Sequence, residues 1–162
     1  MMSDSNVISI QSNQKLTEKV KQITNQKDQS RNEKLQQISR LLVNSVEVFD
    51  WVGFYLVDPS AEGELVLGPY VGEETEHTRI PFGTGICGQA ADSHETFVVQ
   101  DVSEADNYLA CSMDVRSEVV IPIMKDETFV AELDIDSHQK NAITNKHQEM
   151  LEEICNIVAV AF

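Results

Sequence analysis

Hydrophobic positions along this chain follow two rhythms. Before residue 50 they recur every three or four positions, whereas from Trp51 to Ile135 they gather in short β-branched and aromatic runs. Leu16, Val20 and Ile23 share one helix face within residues 1–31, a stretch rich in Gln, Asn, Ser and Lys that reads as a polar N-terminal extension, helical or disordered. Apolar residues vanish across Asn25 to Asn32, and then Leu35, Ile38, Leu42, Val46 and Phe49 mark an amphipathic helix expected to pack on a sheet.

WVGFYLV, from Trp51, and ELVLGPY, from Glu64, read as two strands parted by the turn residues Asp58, Pro59, Ser60 and Gly63. The glycine-rich IPFGTGICGQAADS follows, with a short helix expected over Ile86 to Ala91, and then the strand TFVVQDV. SEVVIPIM and TFVAELDI are separated by Lys125, Asp126 and Glu127, which is hairpin spacing. Beyond Thr144, a possible N-cap, Met150, Leu151, Ile154, Cys155, Val158 and Phe162 fall on one face of a terminal helix. The order of helix, helix, two strands, short helix, three strands and helix predicts an α+β class: an antiparallel sheet covered by helices. Residues 32–162 form the single domain in this reading.

Charge narrows the partners. With 27 acidic against 12 basic side chains, the net charge of -15 repels phosphate backbones and anionic lipid, which argues against nucleic-acid and membrane binding. Met1 to Gln14 lacks the basic end and apolar stretch of a signal peptide, so a cytoplasmic location is expected. Cys87, Cys111 and Cys155 are odd in number and widely spaced, as suits free thiols in a reducing compartment. None of His77, His94, His138 and His147 pairs with a cysteine at zinc spacing, which argues against a metal site.

Gly83-Thr84-Gly85-Ile86-Cys87-Gly88 satisfies the dinucleotide pattern G-x-G-x-x-G, but Pro81 precedes it and the flanking strands read as antiparallel, the wrong context for that function. The same residues suit a tight turn opening a helix, with Cys87 in its first turn, where the helix dipole favours a thiolate; a small apolar role is the alternative. Cys111 lies in the polar loop DNYLACSMD, which favours a reactive thiol, and Cys155 falls on an apolar helix face, which favours the core. Among the acids, Glu118, Asp134 and Asp136 stand out because they interrupt apolar strands. Asp134 and Asp136 share a strand face, as does Glu132, and alternation alone leaves open which of them reach a pocket and which face water on an edge strand.

Taken together, WVGFYLV, LVLGPY, RIPFGTGICGQAA, the Asp-Val and LAC pair of QDVSEADNYLAC, SEVVIPI and ELDIDS resemble the free methionine-R-sulfoxide reductases, a branch of the GAF-domain proteins, from about Asn32 to the C-terminus. The resemblance implies a six-stranded antiparallel sheet and thiol-dependent reduction of free L-methionine-(R)-sulfoxide, recycled by thioredoxin with no bound cofactor. It implies that Cys111 attacks the sulfoxide sulfur and that Cys87 resolves the resulting sulfenic acid as a disulfide, although the match fixes the pair of thiols better than their order. It also implies that Glu118, Asp134 and Asp136 hold the substrate and assist loss of its oxygen, with Trp51, Tyr55 and Tyr70 walling its thioether end. A homodimer is compatible with the family, though no coiled-coil seam supports one.

One position departs from the pattern. His77 stands where three-cysteine members of the family carry a further cysteine, two residues before the R-I-P segment. The expected cycle then closes through Cys87 alone, through direct attack by thioredoxin on the sulfenic acid, or not at all. The rival expectation is a non-catalytic GAF module that senses a small amino-acid-like ligand.

Overall fold

The computed structural model describes residues 4–105 and 114–162. Its elements, in chain order, are α1 (Asp4–Thr24), α2 (Arg31–Ser45), β1 (Trp51–Val57), β2 (Glu64–Val71), β3 (Arg79–Pro81), α3 (Gly85–Ser93), β4 (Phe97–Val99), β5 (Ser117–Lys125), β6 (Thr128–Ser137) and α4 (Asn145–Val158). The strands make one six-stranded sheet in the order β3-β2-β1-β6-β5-β4, with every neighbouring pair antiparallel. The α+β class and the antiparallel GAF-like sheet are thus as expected.

Local chemistry explains most boundaries. Ser30 caps α2 in a reciprocal capping box: its hydroxyl accepts from the Glu33 N–H at 3.1 Å, and its own N–H donates to the Glu33 carboxylate at 3.1 Å. Thr144 caps α4 in the same manner, with its hydroxyl accepting from the His147 N–H at 3.0 Å. The β5–β6 hairpin turns through Asp126 and Glu127, both in the left-handed region at φ 51° and 67°, as a two-residue primed turn requires.

Two details differ from the hydropathy reading. The stripe ending at Val46 and Phe49 outruns its helix, since α2 stops at Ser45 and Val46 turns into extended backbone. Phe49 is buried all the same, packed from the connecting turn against His147 with ring centroids 5.2 Å apart. The pattern also shows five strands, and β3 is the sixth. It is three residues long with only Ile80 buried, and Pro81 ends it on the sheet's edge, where its missing N–H costs no ladder bond.

Both faces of the sheet are covered. On one side Val52 and Phe54 of β1, Val119, Ile121 and Ile123 of β5, and Leu133 and Ile135 of β6 meet Leu16 and Val20 of α1, Leu35, Ile38 and Leu42 of α2, and Leu151 and Ile154 of α4. Cys155 lies in this core, in accord with the structural role expected of it; burial, first, and then the Glu152 charge push its thiol well up from the ordinary value. Truncating a side chain at the centre of this layer removes transfer energy and leaves a cavity. Leu133→Ala is therefore expected to cost about 2 to 5 kcal/mol, read as a fall in the denaturant midpoint at unchanged slope.

Candidate functional site

The opposite face of the same strands carries the polar chemistry. Register places Trp51, Gly53 and Tyr55 of β1 opposite Asp136, Asp134 and Glu132 of β6, while Glu118 and Val120 of β5 face Asp136 and Asp134. Helix α3 lies over these residues, contributing Ile86, Cys87, Ala90 and Ala91 to the second core. Gly88 lets the helix pack closely on the turn that opens it: a Cβ there would stand 2.6 Å from the Pro81 carbonyl oxygen. The glycines that mimic a nucleotide motif thus serve a tight turn and helix packing within an antiparallel sheet.

Glu118 is 2% exposed, and Glu132, Asp134 and Asp136 are each 0% exposed, on strands at the middle of the sheet. The edge-strand alternative for these acids is excluded. The Cys87 thiol donates to Asp134 Oδ2 across 3.4 Å. Cys87 Sγ and one carboxylate oxygen each from Glu118 and Asp134 lie within 4.8 Å of one another, a grouping that could hold a metal ion and that sequence spacing does not show.

Burial governs the ionisation of this group. Desolvation lifts the Glu118 carboxyl well above the ordinary range, and the Asp134 and Asp136 carboxylates beside it lift it further by favouring its proton. Desolvation also lifts Asp134, to about 6, against the opposing effect of hydrogen bonds from Glu118 and Cys87. Glu132 is raised well above the ordinary range by desolvation and then by the Asp134 charge. The nearby Cys87 thiol tempers that rise, yet it lies outside hydrogen-bond geometry, since neither Glu132 oxygen has a partner among the described residues. The site therefore combines a protonated acid, Glu118, with a carboxylate, Asp134, that is ionised above about pH 6.

An aromatic wall stands beside the acids. The Trp51 indole stacks with Tyr70 at 5.3 Å and with Tyr55 at 6.5 Å between centroids. Gly53 makes this possible, because a Cβ there would lie 2.5 Å from the indole and 2.6 Å from Tyr70 Cβ. The polar ends of the rings bind the β2–β3 connection: Trp51 Nε1 donates to the Glu73 carbonyl at 3.0 Å, and the Tyr55 hydroxyl donates to the His77 carbonyl at 2.8 Å. His77 is half-buried on this connection.

The structure thus brings Cys87, Glu118, Asp134, Asp136, Trp51, Tyr55 and Tyr70 to one face. Cys111 lies outside the described residues. The sequence reading left Glu132 open and did not single out Gly53. For Glu132 the signal was its shared parity with Asp134 and Asp136; for Gly53 it was a lone glycine inside an aromatic strand.

Two measurements test this geometry. A carboxyl whose folded-state pKa is raised stabilises the fold fully below its unfolded value and ceases to do so as pH rises through its folded value. For Asp134 that window runs from the ordinary aspartate value of 3.8 to about 6, and the raised Glu118 and Glu132 carboxyls extend it upward. Stability is expected to fall by on the order of 1 to 3 kcal/mol between about pH 4.5 and 7, with a smaller fall in Asp134→Asn, as read by denaturant melts across pH. Gly53→Ala is expected to unstack Trp51, the only tryptophan, and to shift its emission while the far-ultraviolet spectrum is kept.

Comparison with known proteins agrees with this architecture. The sequence profile of the GAF domain matches residues 30–162. GAF domain-containing protein A of Dictyostelium discoideum is 39% identical over 110 residues, covering 68% of each chain. The free methionine-R-sulfoxide reductase of Escherichia coli (strain K12) is 33% identical over 116 residues, covering 72% of this chain and 68% of that protein. The X-ray structure of free methionine-R-sulfoxide reductase from Neisseria meningitidis, solved in complex with its substrate, superposes with a TM-score of 0.84 at 33% identity, covering 100% of this chain and 92% of that one. This protein belongs to the GAF-domain family and, within it, to the free methionine-R-sulfoxide reductases.

Proposed function

We propose that this protein reduces free L-methionine-(R)-sulfoxide to methionine by thiol chemistry and that thioredoxin restores its thiols. The observation that carries this reading is the buried set of Glu118, Asp134 and Asp136 beside Cys87, on the face roofed by α3. A zwitterionic sulfoxide brings an ammonium group and a polarised S–O bond. Ionised Asp134 suits the first, and the proton held by Glu118 suits the oxygen of the second. Trp51 and Tyr70 offer an apolar surface for the thioether end.

The chemistry balances as three steps. The Cys111 thiolate attacks the sulfoxide sulfur, Glu118 protonates its oxygen, and the pair resolves to methionine and a Cys111 sulfenic acid, two electrons passing from the thiol to the substrate. The Cys87 thiol then attacks the sulfenic sulfur, forming a disulfide and releasing water. A dithiol donor of the thioredoxin class reduces that disulfide by exchange, becoming a disulfide itself. With His77 at the position of the family's further cysteine, Cys87 is the resolving thiol in this scheme. A reducing, cytoplasmic setting belongs to this reading through its thiol donor, and no helix among the described residues is long and apolar enough to cross a membrane. A homodimer belongs to this reading only through the family.

Turnover of free methionine-R-sulfoxide with thioredoxin, its reductase and NADPH tests the reading. Cys111→Ser is expected to abolish it, and Glu118→Gln to lower kcat about 10²- to 10⁴-fold. Cys87→Ser is expected to give a single-turnover burst followed by slow recycling. No turnover by the parent protein, with sulfoxide binding kept, would replace the reductase by the ligand-sensing reading; loss of the burst in Cys87→Ser would reverse the order of the thiols.

A further inference from the structure

The acid cluster holds more carboxyl oxygens than a substrate with one ammonium group needs. Glu132 has both carboxylate oxygens buried without a hydrogen-bond partner among the described residues, and so does one oxygen of Asp134. Such groups cost several kcal/mol when desolvated unless a proton or a cation compensates them. They flank a sulfur donor, which changes the class of cation the site suits: carboxylates alone favour hard ions with six or more oxygen ligands, whereas a thiolate selects a softer one.

One donor pair already has the spacing such an ion needs, and the third lies near it. Zn–S bonds of about 2.3 Å and Zn–O bonds of about 2.0 to 2.2 Å, arranged tetrahedrally, set ligand atoms roughly 3.4 to 3.6 Å apart. Cys87 Sγ and Asp134 Oδ2 already stand 3.4 Å apart, and the Glu118 oxygen completes a triangle with no side above 4.8 Å. Glu132 sits on the same face of β6 but outside that triangle, so it adds an uncompensated buried carboxyl beside the site, and water is left to complete the coordination.

We propose that Cys87, Glu118 and Asp134, with the unpartnered Glu132 carboxyl beside them, form a binding site for a thiophilic divalent cation of the Zn²⁺ class. Coordination breaks the Cys87 S–H bond and forms a metal–sulfur bond, and it displaces the proton that Glu118 holds as that carboxylate binds, both protons passing to water. Building on the reductase reading, the bound ion takes the carboxylates that would receive the substrate's ammonium group and the thiol that would resolve the sulfenic acid, so that occupancy inhibits turnover.

The test is a Zn²⁺ titration of the reduced full-length protein against a chromophoric chelator, without substrate. One equivalent is expected to bind to the parent and to Cys111→Ser, at least tenfold more weakly to Cys87→Ser, and more weakly to Glu132→Gln. Co²⁺ supplies a readout that needs no change at the site: a near-ultraviolet thiolate-to-metal charge-transfer band is expected in Cys111→Ser, where Cys155 is sealed in the opposite core. The absence of stoichiometric binding, undiminished affinity in Cys87→Ser, or the lack of that band would overturn the site. Failure of the two readings is distinguishable: Zn²⁺ binding without sulfoxide turnover sinks the enzyme and leaves the metal site, and turnover without Zn²⁺ binding does the reverse.

Discussion

Because side chains alternate along a strand, β6 cannot bury Leu133 and Ile135 against the helices without sending Glu132, Asp134 and Asp136 to the other side of the sheet. On an edge strand that would be cheap, since the acids would face water. Here β1 and β5 flank β6 on both sides and α3 covers the second face, so desolvation cannot be avoided. The large apolar layer of α1, α2 and α4 stabilises a sheet whose other face is costly. Much of the site follows from that single constraint: the shared Glu118 proton, the raised Asp134, and the thiol donating into the cluster.

The same arrangement explains what could be read from the chain alone. Helix α4 was plain, with a threonine cap and a clean apolar face, because it has one side in water and one in the core. β5 and β6 were recognisable as strands from their β-branched runs, and the turn at Asp126 and Glu127 was legible from spacing. Which acids reach a pocket was not legible from alternation, because the period of two assigns Glu132, Asp134 and Asp136 to one face without saying whether that face meets water or a helix. That answer depends on α3, which packs over this face of the sheet, and on the strand order, neither of which a local pattern contains. Strand β3 escaped for the opposite reason: with one buried side chain and a terminal proline it carries too little periodicity to see.

The aromatic side shows a second form of non-local design. The resemblance implied Trp51, Tyr55 and Tyr70 as a wall, but their hydrogen bonds were not legible, since both Trp51 and Tyr55 spend their polar ends on backbone carbonyls of the β2–β3 connection. The position that departs from the three-cysteine pattern, His77, is thus tied by its main chain to the ring directly opposite Glu132 in the sheet. Position 77 is fixed by a carbonyl that any residue supplies, so a histidine fits there without disturbing the wall.

Cys87 is where the opposing influences meet. As the third residue of α3, beyond an N-cap threonine that makes no side-chain cap bond, it stands at the positive end of a helix dipole, which favours an anion. Across the gap stand the acids, which favour keeping the sulfur's proton, and the thiol donates that proton to Asp134 in a bond a thiolate cannot make. The helix and the cluster therefore pull in opposite directions, and the balance turns on the charge the cluster holds. A cation among the carboxylates, whether a substrate's ammonium group or a metal ion, weakens the hold on the proton and leaves the helix terminus to favour the anion. Acid burial and thiol placement in this way form one device: the same desolvated negative charge that attracts a cation also lets the cation's arrival alter the reactivity of the sulfur beside it.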